Sequence, residues 1–534
     1  MELNRRHFSS LLAVSAASLA GGPWFSRPAR AEEPVHGGTL VFVQSEQPTN
    51  LVALLSPDVS RDVSGKIVEG LLDYDFDLKP IPQLAVAWEV SEDGLRYTFR
   101  LRQGVKWHDG KDFTSADVAH SIGIVSERHS RARSTFANLA EIQTPDDHTV
   151  VLLLSQPAPY LLGALPASEV PIVPKHLYEG KDPGTNPVNA RPVGTGPFVY
   201  KEWVRGSHIL LERNPNYWDQ PKPYVDRIVF RTITDPGART ILFETGEAHI
   251  ASTGSVPLSE LKRLLALPHL EITTKGQAFN AGVTRLEFNL DNDYLKRLPV
   301  RQAIAHAIDK QAILDTVFYG YGAVVDGPIS VDLPTFFSGD LPHHAHDPAK
   351  AEKLLDEAGL PRGEGGTRFK LIADPRNLYN TDVKIAEYIR SALANVGINV
   401  TIRSQDFASY IKRVYRDRDF ELIINSMTNT FDPTIGVQRL YWSKNFKPGV
   451  PFSNASHYSN PEVDRLLEEA AVSPDQTRRV ALFNKFQQIV AAELPDINLL
   501  SNYSYTLSHK RLRQHTVSAT GIYGNFADAY FSKA

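Results

Sequence analysis

Three tracts in this chain have residue types that do chemistry elsewhere. The first is His343-His344-Ala345-His346, whose imidazoles suit zinc, copper or nickel. No acidic cluster accompanies it in sequence, and it directly precedes Asp347-Pro348, a helix-start pair, so it reads as a surface loop. The second is Asp73-Tyr74-Asp75-Phe76-Asp77, which begins like a calcium loop. Its sixth position is Leu78, where such a loop needs Gly for its turn, and its twelfth is not Glu. A solvated turn is expected there. The third is Gly194-Thr195-Gly196-Pro197, where the proline removes a backbone donor at the point a phosphate would need one, so the turn reads as structural. There is no G-x-S-x-G elbow, no H-E-x-x-H and no phosphate loop ending in Gly-Lys-Ser/Thr. The chain has no cysteine, which removes thiol nucleophiles, thiolate metal sites, disulfides and a cysteine-linked lipid anchor together. No catalytic residue, no metal site and no cofactor is expected. A secreted hydrolase is the remote alternative.

The elements that would position a site alternate in type. Short β-branched and aromatic runs predict strands at 39–44, 96–101, 149–154, 369–372, 398–402 and 420–424. Helical spacing of apolar residues predicts helices over 58–72, 114–126, 300–318, 349–358, 382–396, 460–472 and 474–493. Asp109-Gly110 supplies a hairpin turn, Thr114 an N-cap, and Gly359 and Gly397 helix stops. The order strand, helix, strand over 369–402 is a parallel crossover unit. The mixture predicts α/β lobes with mixed sheets. No stretch reads as a flexible linker, so the lobes are expected to be joined by more than one chain crossing.

The N-terminus reads as an export signal. Asn4-Arg5-Arg6-His7-Phe8 carries paired arginines, residues 11–20 form a weakly apolar run, and Ala29-Arg30-Ala31 is a small-x-small cleavage pattern. The paired arginines point to a twin-arginine address over residues 1–31. The apolar run falls short of the roughly 20 residues that cross a bilayer. The 534-residue chain has a formal net charge of −4. Removing 1–31 makes the rest more acidic, because that segment carries Arg5, Arg6, Arg27 and Arg30 against Glu2 alone. Such a balance disfavours nucleic acid as a partner. A soluble periplasmic protein, monomeric, is expected.

Several blocks together resemble one family. Pro82-Gln83-Leu84-Ala85 leads to Trp88-Glu89-Val90-Ser91-Glu92-Asp93-Gly94, and Tyr97-Thr98-Phe99-Arg100-Leu101 runs on to Gly104-Val105-Lys106-Trp107-His108-Asp109-Gly110. Further blocks are Pro192-Val193-Gly194-Thr195-Gly196-Pro197-Phe198, Glu212-Arg213-Asn214-Pro215-Asn216-Tyr217-Trp218, the stretch 300–310, and Asp347-Pro348-Ala349-Lys350-Ala351 followed by Glu357-Ala358-Gly359. Their order and spacing resemble the peptide- and nickel-binding solute-binding proteins of ABC importers, extracellular family 5. The resemblance implies a two-lobe periplasmic-binding-protein fold of class II, the large peptide-binding type. Lobe I would span 32–280, with an inserted subdomain at about 70–212. Lobe II would span 281–505, and 506–534 would return to lobe I. The chain would cross between lobes near Ala281 to Phe288 and again near Leu499 to Thr506. The partners implied are a small solute, peptide-like or sugar-like, and the permease subunits of an ABC transporter.

The same resemblance bears on the ligand. Peptide-binding members place an Asp three residues before an acidic-Pro pair as countercharge for the ligand's ammonium. Here the pair is Asp432-Pro433 and the matching residue is Asn429, while the tryptophan typical of that loop would fall at Ser426. Asn accepts a hydrogen bond but neutralises nothing, and a buried unpaired charge costs about 3–5 kcal/mol. Either Asp432 supplies the charge or the ligand lacks a free ammonium there. Phe431, Tyr441 and Trp442 would stack on a sugar face or an apolar side chain, or else are ordinary core. Free dipeptides are therefore expected to bind poorly, with longer, blocked or sugar-containing solutes preferred and Asn429→Asp improving peptide affinity. An oligosaccharide, an opine-like conjugate or a metal chelate is the alternative ligand.

Overall fold

A computed structural model describes residues 33–55, 60–129, 131–376, 380–502 and 504–533. The signal-peptide reading of 1–31 lies outside the described residues.

The first lobe is built on a seven-stranded mixed sheet. Its order is Leu270–Thr273, Thr506–His509, Ile250–Ser252, Thr39–Gln44, Arg227–Thr232, His208–Arg213 and Phe198–Val204. Thr39–Gln44 is central because its backbone has a sheet partner on both edges, both parallel: Arg227–Thr232 in continuous register and Ile250–Ser252. The late strand Thr506–His509 pairs antiparallel with both Ile250–Ser252 and Leu270–Thr273, so the C-terminal segment is woven into the lobe that starts the chain.

A four-stranded antiparallel sheet, Ala85–Val90, Arg96–Leu101, Thr149–Leu154 and Leu139–Asp146, forms the insertion in this lobe. Helix Ser115–Arg128 covers it. That helix starts with a Thr114/Asp117 capping box. Asp117 Oδ2 also accepts from the Trp107 indole at 3.3 Å, and Oδ1 accepts from the Lys175 amide at 2.8 Å, so one carboxylate joins the hairpin, the helix and the next loop. The sheet of the insertion is narrower than 70–212, because Phe198–Val204 and His208–Arg213 bond into the seven-stranded sheet.

The second lobe holds a six-stranded sheet in the order Gly322–Val324, Asp496–Asn502, Gly282–Phe288, Leu422–Thr428, Phe369–Pro375 and Ile398–Ile402. Phe369–Pro375 runs parallel to Ile398–Ile402 through helix Asn380–Asn395, and Gly397 ends that unit at φ 86°. The single helix expected over 300–318 is two, Leu298–Ala307 and Lys310–Val317. The break falls at Asp309, whose side chain accepts from the Ala312 amide and so caps a new helix instead of continuing the old one.

The chain crosses between the two large sheets between Thr273 and Gly282 and again between Asn502 and Thr506. The two crossings are bonded side by side: Asn280 Nδ2 donates to Ser504 Oγ at 3.1 Å and Gln277 Nε2 to Thr506 Oγ1 at 3.4 Å. Ala281 and Thr506 therefore flank the crossings. Phe288 and Leu499 do not: both are fully buried within the six-stranded sheet, where ladder bonds and core packing leave a backbone no freedom to act as a hinge.

The tracts at 73–77 and 194–197 are turns that serve the fold. Asp75 Oδ1 accepts from the amides of Asp77 and Lys79, both at 2.9 Å, closing a turn between the short strands Leu72–Tyr74 and Pro80–Pro82. A β-carbon on Gly194 would meet Ile67 O at 1.8 Å, and the Gly196 amide donates to that same oxygen, so the glycines let the turn cap the end of helix Arg61–Ile67. His343 bonds Asp326, His346 lies 3.8 Å from Asp309, and His344 packs on His306. No group of three metal-binding side chains occurs among the described residues.

Candidate solute-binding cleft

The lobes meet through the loop and short helices at residues 429–442 of lobe II and the turn Pro159–Ala164 of lobe I. Of the five residues singled out in the first, Phe431 is the one that crosses. Its ring packs 5.6 Å from Phe279 and against Gly163, and it joins the core cluster of lobe I.

The other four are engaged within lobe II. Asn429 is 1% exposed: its Oδ1 accepts from the Ser330 amide at 2.6 Å and its Nδ2 donates to Pro328 O at 3.1 Å, pinning the loop at 328–330. Asp432 caps the one-turn helix Pro433–Gly436 through the Thr434 amide and takes Arg479 on both oxygens at 2.8 Å. Tyr441 donates to Asp496 at 2.6 Å beneath Phe486. Trp442 is half-buried and donates its indole N–H to Glu468 at 2.8 Å. Neither Asn429 nor Asp432 stands as an unengaged countercharge. Asp432 still reaches the other lobe as a field: burial first and then its charge push the Tyr160 phenol up to about 12.

A second set of polar side chains is largely buried, part of it on each lobe. On lobe I, Glu169 is 2% exposed and bonds Arg131 through both Nε, at 3.1 Å, and Nη2, with Arg61 3.8 Å away. His129 accepts from the amides of Arg131 and Ala132 through Nδ1, which leaves Nε2 buried without a partner among the described residues; Ser168 Oγ is likewise unpartnered among them. Burial, reinforced by the charges of Arg131 and Arg61, pushes His129 down to about 3, so it is neutral.

On lobe II, Arg285 sits between Glu287 and Asp496, each at 2.8 Å. Burial pushes both carboxylates up against the pull of Arg285. Beside this triad lie Tyr410, whose hydroxyl faces Asn425, and Tyr415, whose buried hydroxyl has no partner among the described residues. Arg439, on the one-turn helix Gln438–Tyr441, donates to Phe452 O at 2.8 Å and has no acidic side chain in ion-pair range among the described residues. Burial lowers it to about 10; the neighbouring Tyr415 opposes that shift, and the like charges of Arg285 and, across the cleft, Arg131 add to it. An arginine on a one-turn helix carries no periodicity, so no sequence signal marked it.

A surface concavity of about 760 Å³ lies elsewhere, lined by Arg100, Arg102, Asp146 and His148 on the inserted sheet. It is open to solvent and has none of the buried polar groups that converge between the lobes.

Two lobes joined by paired crossings make the class II periplasmic-binding-protein fold of the large peptide-binding type. The chain belongs to the family described as Bacterial extracellular solute-binding proteins, family 5 Middle, which matches residues 79–448. It is 30% identical over 511 residues to a Brucella ovis protein named "Putative ABC transporter peptide-binding protein", covering 92% of each chain. It is 28% identical over 475 residues to the glutathione-binding protein GsiB of Salmonella typhi, covering 87% of this chain and 88% of that one. Among solved structures it resembles the periplasmic binding protein DppA of Helicobacter pylori in complex with peptide STSA. There the TM-score is 0.76 and the identity 26%, over 93% of this chain and 99% of that one. The chain is thus a receptor for a solute, not an enzyme. No helix among the described residues is long and apolar enough to cross a membrane.

Proposed function

We propose that this protein is the periplasmic receptor of an ABC importer, that it captures a peptide or peptide-like solute by closing its lobes over it, and that the permease recognises the closed form. The observation that carries this reading is the cleft itself. Paired crossings let two rigid sheets move as bodies, and buried polar groups from both lobes converge where they meet. Closure removes water, which strengthens every polar contact to the ligand. The peptide-binding names of the relatives support the same class.

The protein acts as a monomer without nucleic acid, and it leaves the cytoplasm through a twin-arginine signal cleaved after Ala31. Arg5-Arg6 replaced by two lysines should abolish export; undiminished periplasmic protein would remove the twin-arginine reading while leaving secretion intact. The class is tested by calorimetry against a peptide library with mass spectrometry of the ligand afterwards. One equivalent bound and recovered unchanged is the expected result, and repeated turnover of a cleaved ligand would overturn it.

A further inference from the structure

We propose that the outer end of lobe I carries a second binding site, apart from the cleft, for a tetrahedral oxyanion of the phosphate or sulfate class, held by His249, His509 and Arg511.

The strand ladder fixes the place. Thr506–His509 leaves the interlobe crossing at Thr506, and Ser252 pairs with that residue. His249 and His509 stand at the other end of the same two strands, turned away from the cleft, where Thr39 begins the central strand. A cavity of about 250 Å³ opens there, lined by Thr39, Gly246, His249, His509, Arg511 and Phe531. The rings of His249 and His509 are 6.1 Å apart, and the Phe531 ring packs edge-on against His249 at 4.9 Å. A β-carbon on Gly246 would stand 3.8 Å from His509 Nε2, so the absent side chain keeps that nitrogen accessible.

Hydrogen bonding decides what these histidines can hold. His249 Nδ1 accepts from the Val41 amide at 2.9 Å, and His509 Nδ1 accepts from the Arg511 amide at 3.1 Å. A backbone N–H only donates, so each Nδ1 lone pair is taken and the ring hydrogen sits on Nε2. A metal-binding imidazole is arranged the other way, with a lone pair free on one nitrogen while the other donates. Neither Nε2 has a partner among the described residues. Both rings thus offer N–H donors rather than lone pairs, which suits an anion and not a metal ion.

The charges around them agree. Arg511 is exposed, and its one side-chain hydrogen bond, to Ser532 O, is long at 3.4 Å. Arg513 has Glu271 at 4.0 Å, whereas no carboxylate lies within ion-pair range of Arg511, His249 or His509 among the described residues. Lys510 is turned to Pro268 O, and His269, 5.2 Å from His509, to Phe243 O. The titratable groups facing His249 are His509 and Arg511, and those facing His509 are His269 and Arg511; all are basic. Burial first, and then these like charges, push His249 down to about 4 and His509 below its usual value. An anion in the cavity reverses that pressure, so its binding takes up protons. A guanidinium fork and two imidazole donors from separate strands can hold a tetrahedral oxyanion from several sides through charge-assisted bonds.

The test is calorimetry on the full chain with sodium sulfate, a dianion throughout the range in which histidine titrates, with ionic strength held constant by chloride. One equivalent should bind, with affinity rising at least about threefold from about pH 8 to about pH 6 as protons are taken up. Inorganic phosphate should compete with it. Arg511→Gln should weaken binding at least about tenfold and Arg511→Lys should keep part of it, while Arg513→Gln, outside the cavity, should change it less than about twofold. Absence of saturable binding, affinity independent of pH, or acetate competing as strongly as phosphate overturns the proposal. So does binding that survives Arg511→Gln, the result expected of sulfate held in the cleft. Should Arg511→Gln fail to fold, the wild-type pH series and the competition decide.

Discussion

The ring of Phe431 occupies the space a side chain on Gly163 would need: a β-carbon built there would stand 2.9 Å from Phe431 Cδ2. The two residues belong to different lobes, so this missing side chain is a condition of closure. Gly163→Val should therefore hold the lobes apart. Overpacking of this kind costs about 1–3 kcal/mol, which predicts ligand binding weaker by about 5-fold to about 150-fold. Small-angle scattering should show the ligand-bound variant remaining extended. Adding Phe431→Ala should relieve the clash and recover compaction; wild-type affinity in Gly163→Val would show that the contact does not govern closure.

Asp432 and Arg479 form a pair buried to 7% and 2% side-chain exposure. Arg479 Nη2 bridges both carboxylate oxygens, and its Nε holds the Ala470 carbonyl. Asp432→Asn should strand the guanidinium and destabilise lobe II by about 3–5 kcal/mol, read as a lower denaturant midpoint. The double variant Asp432→Asn, Arg479→Met should recover much of that loss, because the stranded charge rather than the missing pair is what costs. A double variant no more stable than the single one would refute this account.

Asn429→Asp should not create a site for free ammonium. Nδ2 of Asn429 donates to Pro328 O at 3.1 Å, and a carboxylate oxygen there would face that carbonyl with no proton between them. The expected result is a loss of stability of about 1–3 kcal/mol with no gain in dipeptide affinity. Tighter dipeptide binding at unchanged melting temperature would count against it.

Glu69 is fully buried and accepts from Thr195 Oγ1, Tyr217 OH and Trp218 Nε1. Burial pushes its carboxyl from 4.5 up to about 7, against those three donors. An acid raised in the folded state contributes stability that is complete below about pH 4.5 and is lost as pH rises through about 7. The contribution is at most about 3 kcal/mol. Urea unfolding across that window should show stability falling with pH, and Glu69→Gln should flatten the slope. A slope unchanged by the substitution would assign it to other groups.

Much of the architecture was legible in local pattern. The strands at 39–44, 96–101 and 149–154 have the bounds that alternation and β-branched residues predict. Helix Pro348–Glu357 starts where Asp347-Pro348 predicts it. Helix Leu298–Ala307 shows where pattern fails: apolar spacing continues past it, but an Asp able to bond the chain ahead of it ends one helix and begins another.

The candidate site was less legible, and for a physical reason. By itself the sequence determined the α/β class, the helix caps and turns, and the ordered blocks of one receptor family, because each is a property of neighbours along the chain. It also marked the 429–442 loop. Only the tertiary structure decided which of that loop's side chains turn inward. Asn429 serves Ser330, Asp432 serves Arg479 and Tyr441 serves Asp496, while Phe431 meets Gly163. These partners lie tens to hundreds of residues apart. Their meeting depends on strand register and on how two lobes close, and nothing in the local sequence records either.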